Sequence, residues 1–271
     1  MQTAPQPLAA SPSPTGPALP VRRIGVEQPW RWLAAGWRDF LAAPLVSLAY
    51  GALFVIGGIA LTAALWSLDW LFLALPLGAG FLLVAPVLAT GLYAVSRRVG
   101  EGGRPSFTEA VTAWRARPGS LAVVGLVLML LFLVWIRLAF LIFALFFGPQ
   151  PPSWPLFIDA VFFSASGIPF LVVGTAVGAV LAAVAFAISA ISIPLLLDRD
   201  VGAFTAVATS IAAVALNWRV MAGWAALIAL FGAAGIATFY LGLALTLPLI
   251  GHASWHAYRD LVPASVAAER R

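Results

Sequence analysis

The two histidines of the chain, His252 and His256, stand four residues apart near its C-terminus. On a helix that spacing puts both imidazoles on one face. Two such rings can be two ligands of a metal or lie against a haem. Closing a zinc site takes one or two further donors, and with no Cys in the chain these fall to Asp198, Asp200, Glu109 or Asp260. Flanked by Trp255 and Tyr258, the same pair also fits a hydrogen-bonding anchor at headgroup depth. A second set is Arg137, the one basic residue inside a long apolar run, with Asp159, the next charge along the chain. An arginine at the centre of a membrane span costs about 2.5–3.5 kcal/mol on insertion scales, so Arg137 is expected either to pair with Asp159 or to bind an anion. A third set, Asp198, Arg199, Asp200, Asn217, Arg259 and Asp260, is expected to form a polar cluster on one face, with Asp198 capping the following helix or pairing with Arg259 or Arg219. No set joins a nucleophile to a base, and no Walker, HExxH, GxSxG or selectivity-filter motif occurs. The expectation is a non-enzymatic protein with no resident cofactor.

The elements that must hold these residues follow from composition. Of 271 residues, 62% are hydrophobic and 9% charged, and the mean hydropathy is +1.01. Soluble domains run at about 45–50% and 25%. Gathered into long uncharged runs, this composition belongs in a bilayer and excludes a soluble enzyme, a nucleic-acid-binding domain and a disulfide-stapled scaffold.

Along the chain, the Pro-rich residues 1–21 read as a disordered tail. Residues 28–41 read as an amphipathic helix lying on the membrane, its apolar face formed by Trp30, Leu33, Ala34, Trp37, Phe40 and Leu41; an ordinary helix packed under the bundle is the other reading. Six spans follow, at about 45–66, 70–95, 119–140, 168–193, 219–238 and 241–261, then a short cytoplasmic tail over 263–271. The fold class is thus all-α: six transmembrane helices as three hairpins behind an interfacial helix. The uncharged run from Val220 to Gly251 is too long for one span and is divided near Phe239–Gly242. Six spans put fourteen of the fifteen arginines on one side, and the positive-inside rule then makes that side, with both termini, cytoplasmic. The pI of 10.7 thereby becomes orientation and lipid contact, not affinity for nucleic acid.

Trp-Arg dipeptides recur at 30–31, 37–38, 114–115 and 218–219, three of them just ahead of an odd-numbered span. They mark either a threefold repeat of connector plus hairpin or the shared preference of Trp and Arg for the interface. Gly174 and Gly178 form a GxxxG step that admits a close helix.

The stretches SIPLLLDRDVGAFTAVATS, NWRVMAGW and PLIGHASWHAYRDLV, with VWIRLAFLIFALFF and GWRDF, resemble a bacterial family of six-span integral membrane proteins, domain of unknown function 2189. The likeness extends over nearly the whole chain from about residue 22, with Trp218 standing where a small residue or Pro is expected. It implies six spans in a bacterial inner membrane and carries no catalytic residue. The functions open at this point are an assembly, scaffold or lipid-associated protein, a small-solute permease using Arg137 and Asp159, and a metal- or haem-handling protein using His252 and His256. The expected partners are membrane lipids and a membrane protein or second copy of the chain.

Overall fold

The computed structural model describes residues 18–148 and 154–263. The tail positions 1–17 and 264–271, and most of the GPQPPSWP stretch, lie outside them. The described chain is helical throughout, without a strand: α1 (Gln28–Ala42), α2 (Pro44–Ser67), α3 (Ala74–Leu88), α4 (Thr90–Gly100), α5 (Phe107–Thr112), α6 (Pro118–Phe147), α7 (Trp154–Ile158), α8 (Gly167–Ser189), α9 (Ser192–Asp198), α10 (Ala203–Leu216), α11 (Trp218–Ala237) and α12 (Leu243–Leu261).

One junction recurs three times. A short helix ends, one residue leaves helical geometry, and a long apolar helix begins. The kinked residues are Ala43 (φ −138°, ψ 56°), Arg117 (φ −144°, ψ 59°) and Asn217 (φ −117°, ψ 31°). Pro44 and Pro118 explain the first two, because proline pushes its predecessor out of the α region and is itself suited to a first helical turn. At the third, the Asn217 backbone N–H and side-chain Nδ2 both donate to the Ala213 carbonyl, each at 3.2 Å, and together close the ending helix. The Trp-Arg dipeptides do not keep register with this junction: Trp37 lies seven residues before Pro44, Trp114 four before Pro118, and Trp218 opens its helix.

Two of the returning segments are broken. Pro194 has no N–H for the Ala190 carbonyl, and the chain divides there into α8 and α9. Hydroxyls bridge the gap: Ser189 donates to Ala185 O at 2.7 Å, Ser192 to Ile188 O at 2.6 Å, and Ser210 accepts from Ile191 N at 3.1 Å. Between α3 and α4 the Thr90 hydroxyl takes the Val87 carbonyl.

Five segments are long and apolar enough to cross a membrane: 44–67, 71–100, 118–147, 167–198 and 218–237. The turn expected near Phe239–Gly242 is present, with Phe239 and Tyr240 at positive φ, and α12 runs back from it. At nineteen residues α12 is long enough, but it carries too many polar groups to rank with the five. Eleven of its residues are buried among other helices, so lipid does not dictate their polarity. The third segment continues to Phe147 instead of ending near 140, which leaves Arg137 inside a continuous helix of 30 residues.

α12 packs on α1, α2, α4 and α11, while α3 packs on α6 and α8. The approaches are close at glycines. A Cβ on Gly36 would sit 2.6 Å from Ala253 N, and one on Gly51 would sit 2.5 Å from Ala244 O. In the GxxxG step, Gly178 receives the Trp135 ring, at 3.1 Å from a built Cβ, whereas nothing stands against Gly174. Although consecutive in sequence, α2 and α3 scarcely touch, and an apolar cavity of about 540 Å³ separates them. A second apolar cavity, of about 530 Å³, lies between α3, α6 and α8.

Candidate functional site

The polar residues collect at one end of the bundle, where α1, α4, α5, α9, α10 and the C-terminal turns of α12 meet. Twelve of the thirteen described arginines belong to this end, Arg137 being the other, so its field is strongly positive.

At its centre is His252, fully buried on α12. Ser47 of α2 lies 3.0 Å from its Nε2 and Ser96 of α4 lies 2.8 Å from its Nδ1. The Ser47 hydroxyl donates to its own Ala43 carbonyl at 2.9 Å. A neutral imidazole protonated on Nε2 therefore satisfies every group: Ser47 accepts from Nε2–H, and Ser96 donates to Nδ1. In that arrangement the ring cannot take a proton from Ser47, and neither nitrogen keeps a lone pair for a metal. Neither serine nor His252 lines either cavity.

One helical turn on, His256 Nε2 lies 2.8 Å from Asp39 Oδ2 of α1. The two histidines thus share a helix face and reach different partners. Among the described residues no group of three His, Asp or Glu side chains could hold a metal ion. Asp39 is 7% exposed on the face of α1 formed by Pro29, Trp32, Gly36 and Phe40, which is the face turned to the bundle. Of the residues expected on the apolar stripe, Trp30, Trp37 and Leu41 are exposed and Phe40 is buried. The side of α1 turned to the bundle thus carries Trp32, Gly36, Asp39 and Phe40, and the side left open carries Trp30, Trp37 and Leu41.

The expected cluster of Asp198, Arg199, Asp200, Asn217, Arg259 and Asp260 divides into four separate groups: Asp198 with Arg199 and Arg259 is one, and Asp200, Asp260 and Asn217 are each another. Asp198 accepts from the Tyr258 hydroxyl at 2.5 Å and from Arg259 Nη1 at 3.4 Å, with Arg199 Nε at 3.8 Å. Arg199 also donates to the Val262 and Pro263 carbonyls, both at 2.8 Å. Asp200 pairs with Arg117, whose guanidinium holds the exposed carboxyl below its ordinary value, first through the hydrogen bond and then through charge. Asp260 accepts from Trp32 Nε1 at 3.2 Å and faces Arg22 at 3.8 Å.

Asn217 serves a strap. Its Oδ1 accepts from Ile24 N and its Nδ2 donates to Arg22 O, both at 3.0 Å, and Thr209 Oγ1 accepts from Leu19 N at 2.9 Å. Arg22 N donates to Leu261 O at 2.9 Å. Residues 19–24, partly within the stretch read as a disordered tail, thereby lie across α10, α11 and the end of α12.

Arg137 and Asp159 are not brought together. Both are exposed, and among the described residues neither makes an ion pair or a side-chain hydrogen bond. Both cavities are lined mostly by apolar side chains, and neither takes in Arg137 or Asp159.

Sequence reasoning missed Asp39, Ser47, Ser96, Tyr258 and the strap contacts of Thr209. For Asp39 a signal was present, since Pro29, Trp32, Gly36 and Phe40 recur at helical steps around it. For the serines none was, because a lone Ser in an apolar helix ordinarily bonds back to its own turn.

Residues 74–198 match the model of a family described as a predicted integral membrane protein, DUF2189. The match takes in VWIRLAFLIFALFF and reaches Asp198. It stops short of GHASWHAYRD, so the likeness expected over nearly the whole chain is found over this part of it. No curated protein and no solved structure matches the chain.

Proposed function

We propose that this chain, whose residues 74–198 match a family of predicted integral membrane proteins of unknown function, is a non-enzymatic six-span protein of the bacterial cytoplasmic (inner) membrane that serves as a lipid-associated scaffold. On this reading both termini are cytoplasmic, α12 is the sixth span, and the arginine-rich end lies among anionic headgroups.

The observation that carries the reading is the one-sided positive end together with its tryptophans. Trp30, Trp37, Trp114 and Trp218 are all exposed there, and the Arg115 and Arg219 guanidinium groups lie 5.5 and 5.2 Å from the ring centroids of Trp114 and Trp218. Tryptophan favours headgroup depth, and each arginine near an anionic surface contributes about 1 kcal/mol of attraction. The buried polar groups of this end are engaged with one another, which suits rigidity more than turnover. A permease using Arg137 and Asp159 is the weaker reading, since neither side chain lines a cavity.

The chain has no cysteine, so single-cysteine labelling has no background. In intact cells a membrane-impermeant maleimide is expected to label Ser67→Cys at once and Gly100→Cys only after permeabilisation. The reverse pattern overturns the orientation, and equal labelling of both overturns the span count.

A further inference from the structure

The α2–α3 cavity has the shape, lining and electrostatics of a site for one molecule. It runs beside α2 from Tyr50 to Leu65, about 22 Å at 1.5 Å per residue. That exceeds the thickness of one leaflet, about 15 Å of a 30 Å hydrocarbon core. At the end remote from the arginines the Thr62 and Tyr240 hydroxyls are hydrogen-bonded at 2.7 Å and close it. Partway along, Phe54 and Phe81 meet edge to face with centroids 5.9 Å apart. At the basic end the wall is completed by Trp114. Arg115, exposed and with no carboxylate partner among the described residues, lies against that ring. Gly57 and Gly78 line the cavity, and a Cβ at either would meet nothing within 4 Å, so the open space there is not a product of strained packing.

The lining and the charge beside it decide what can enter. The wall is mostly apolar over about 22 Å, long enough for one extended acyl chain, and the Arg115 guanidinium lies against the Trp114 ring at its basic end. The unpaired guanidinium at the mouth selects the headgroup, because an apolar chain alone leaves it without a counter-ion. Neither cavity has an arginine in its lining, but among the described residues no guanidinium lies against a ring of the second cavity, where Phe143, Phe157 and Phe170 stand, so it offers no such selection.

We infer that the α2–α3 cavity binds one acyl chain of an anionic phospholipid, with the lipid phosphate held by Arg115 beside Trp114. This deepens the lipid-associated reading above and rests on it.

The test uses the full chain reconstituted in vesicles of equal parts phosphatidylcholine and phosphatidylglycerol, with a photoactivatable group near the chain terminus of one lipid or the other. Labelled phosphatidylglycerol is expected to cross-link within residues 53–65 and 74–81, several-fold more than labelled phosphatidylcholine. Arg115→Gln is expected to reduce that preference about fivefold, the effect of about 1 kcal/mol per arginine. A Cβ at Gly57 or Gly78 meets nothing within 4 Å, so Gly57→Leu and Gly78→Leu are expected to occupy the cavity and abolish the cross-link while leaving the unfolding temperature nearly unchanged. Labelling that survives both leucine variants, or that favours neither lipid in the cavity, overturns the inference. If phosphatidylglycerol is still enriched at the loops of the basic end, the broader reading stands and only the cavity assignment fails. If no lipid preference appears anywhere on the protein, both fail.

Discussion

His256 on α12 and Asp39 on α1 meet at 2.8 Å across 217 residues of sequence. The contact ties the first helix to the last and anchors an acid that α1 would otherwise bury alone. A buried carboxylate without a partner costs more than the pair gains, so His256→Ala, which leaves Asp39 unpaired, is expected to cost more than the contact is worth. Asp39→Ala and His256→Ala should each lower the unfolding midpoint in detergent. The double-mutant cycle should give a coupling of about 1–3 kcal/mol. Additive losses would mean that the two side chains do not act together.

His252→Leu retains the volume of a buried side chain and removes both ring nitrogens. Ser47 keeps its bond to the Ala43 carbonyl, whereas Ser96 loses its only side-chain partner in the described structure. The expected loss is about 1–3 kcal/mol, the cost of one orphaned hydroxyl, and His252→Leu with Ser96→Ala should recover most of it. Bound metal in the purified wild-type protein that disappears in His252→Leu would instead restore the metal reading.

Gly36→Ala forces a methyl against the backbone of α12, 2.6 Å from Ala253 N and 2.9 Å from Leu249 O. Backbone cannot rotate away, so α1 must lift, at a cost of about 1–3 kcal/mol. Gly223→Ala, where nothing stands within 4 Å, should stay within about 0.5 kcal/mol of wild type. Parallel thermal scans of the two variants check the contrast.

Asn217→Ala removes both hydrogen bonds to the strap while leaving α11 in place. Trypsin is expected to cut after Arg22 and Arg23 about tenfold faster, equivalent to about 1.4 kcal/mol in the local opening equilibrium. Unchanged cleavage would show that Thr209 and Leu261 hold the strap unaided.

The Arg117–Asp200 contact sets a pH dependence of known sign. The folded carboxyl titrates below its ordinary 3.8, so the contact is fully formed above that value and is lost only as pH falls through the lowered one. The difference in melting temperature between wild type and Asp200→Asn should be constant from neutral pH to about pH 4 and shrink below it. A difference that already changes near neutrality would point to another group.

Apolar runs and prolines made the long helices legible. Pro44 and Ser67 bound a helix expected over 45–66, and the division at Phe239–Gly242 falls where the backbone turns. Length and charge determine such features locally. What stayed hidden depends on which helices become neighbours. On α1 the sequence pattern drew out the face that carries Trp30 and Trp37, whereas the side that docks on α12, with Trp32, Gly36, Asp39 and Phe40, depends on a helix more than 200 residues away. The repeat was sought in Trp-Arg dipeptides, whose positions slide by as much as seven residues, and lies instead in a backbone kink that three different residues adopt. The histidines were seen, but their serine partners are 205 and 156 residues away. The pairings within the polar cluster depend on Tyr258, Trp32 and Arg117, none of which the spacing singles out.

The bond between Ser47 and His252 fixes an order of events during biosynthesis. At about 5–20 residues per second, the ribosome reaches the histidine some 10–40 s after it has passed the serine. Throughout that interval α1 and α2 must wait in or on the bilayer with Asp39 and Gly51 uncovered, while α6 and α8 already have each other. The half of the protein made first is therefore the half completed last. A chain truncated ahead of α12 should leave its N-terminal helices open to protease even though most of its apolar length is already inserted.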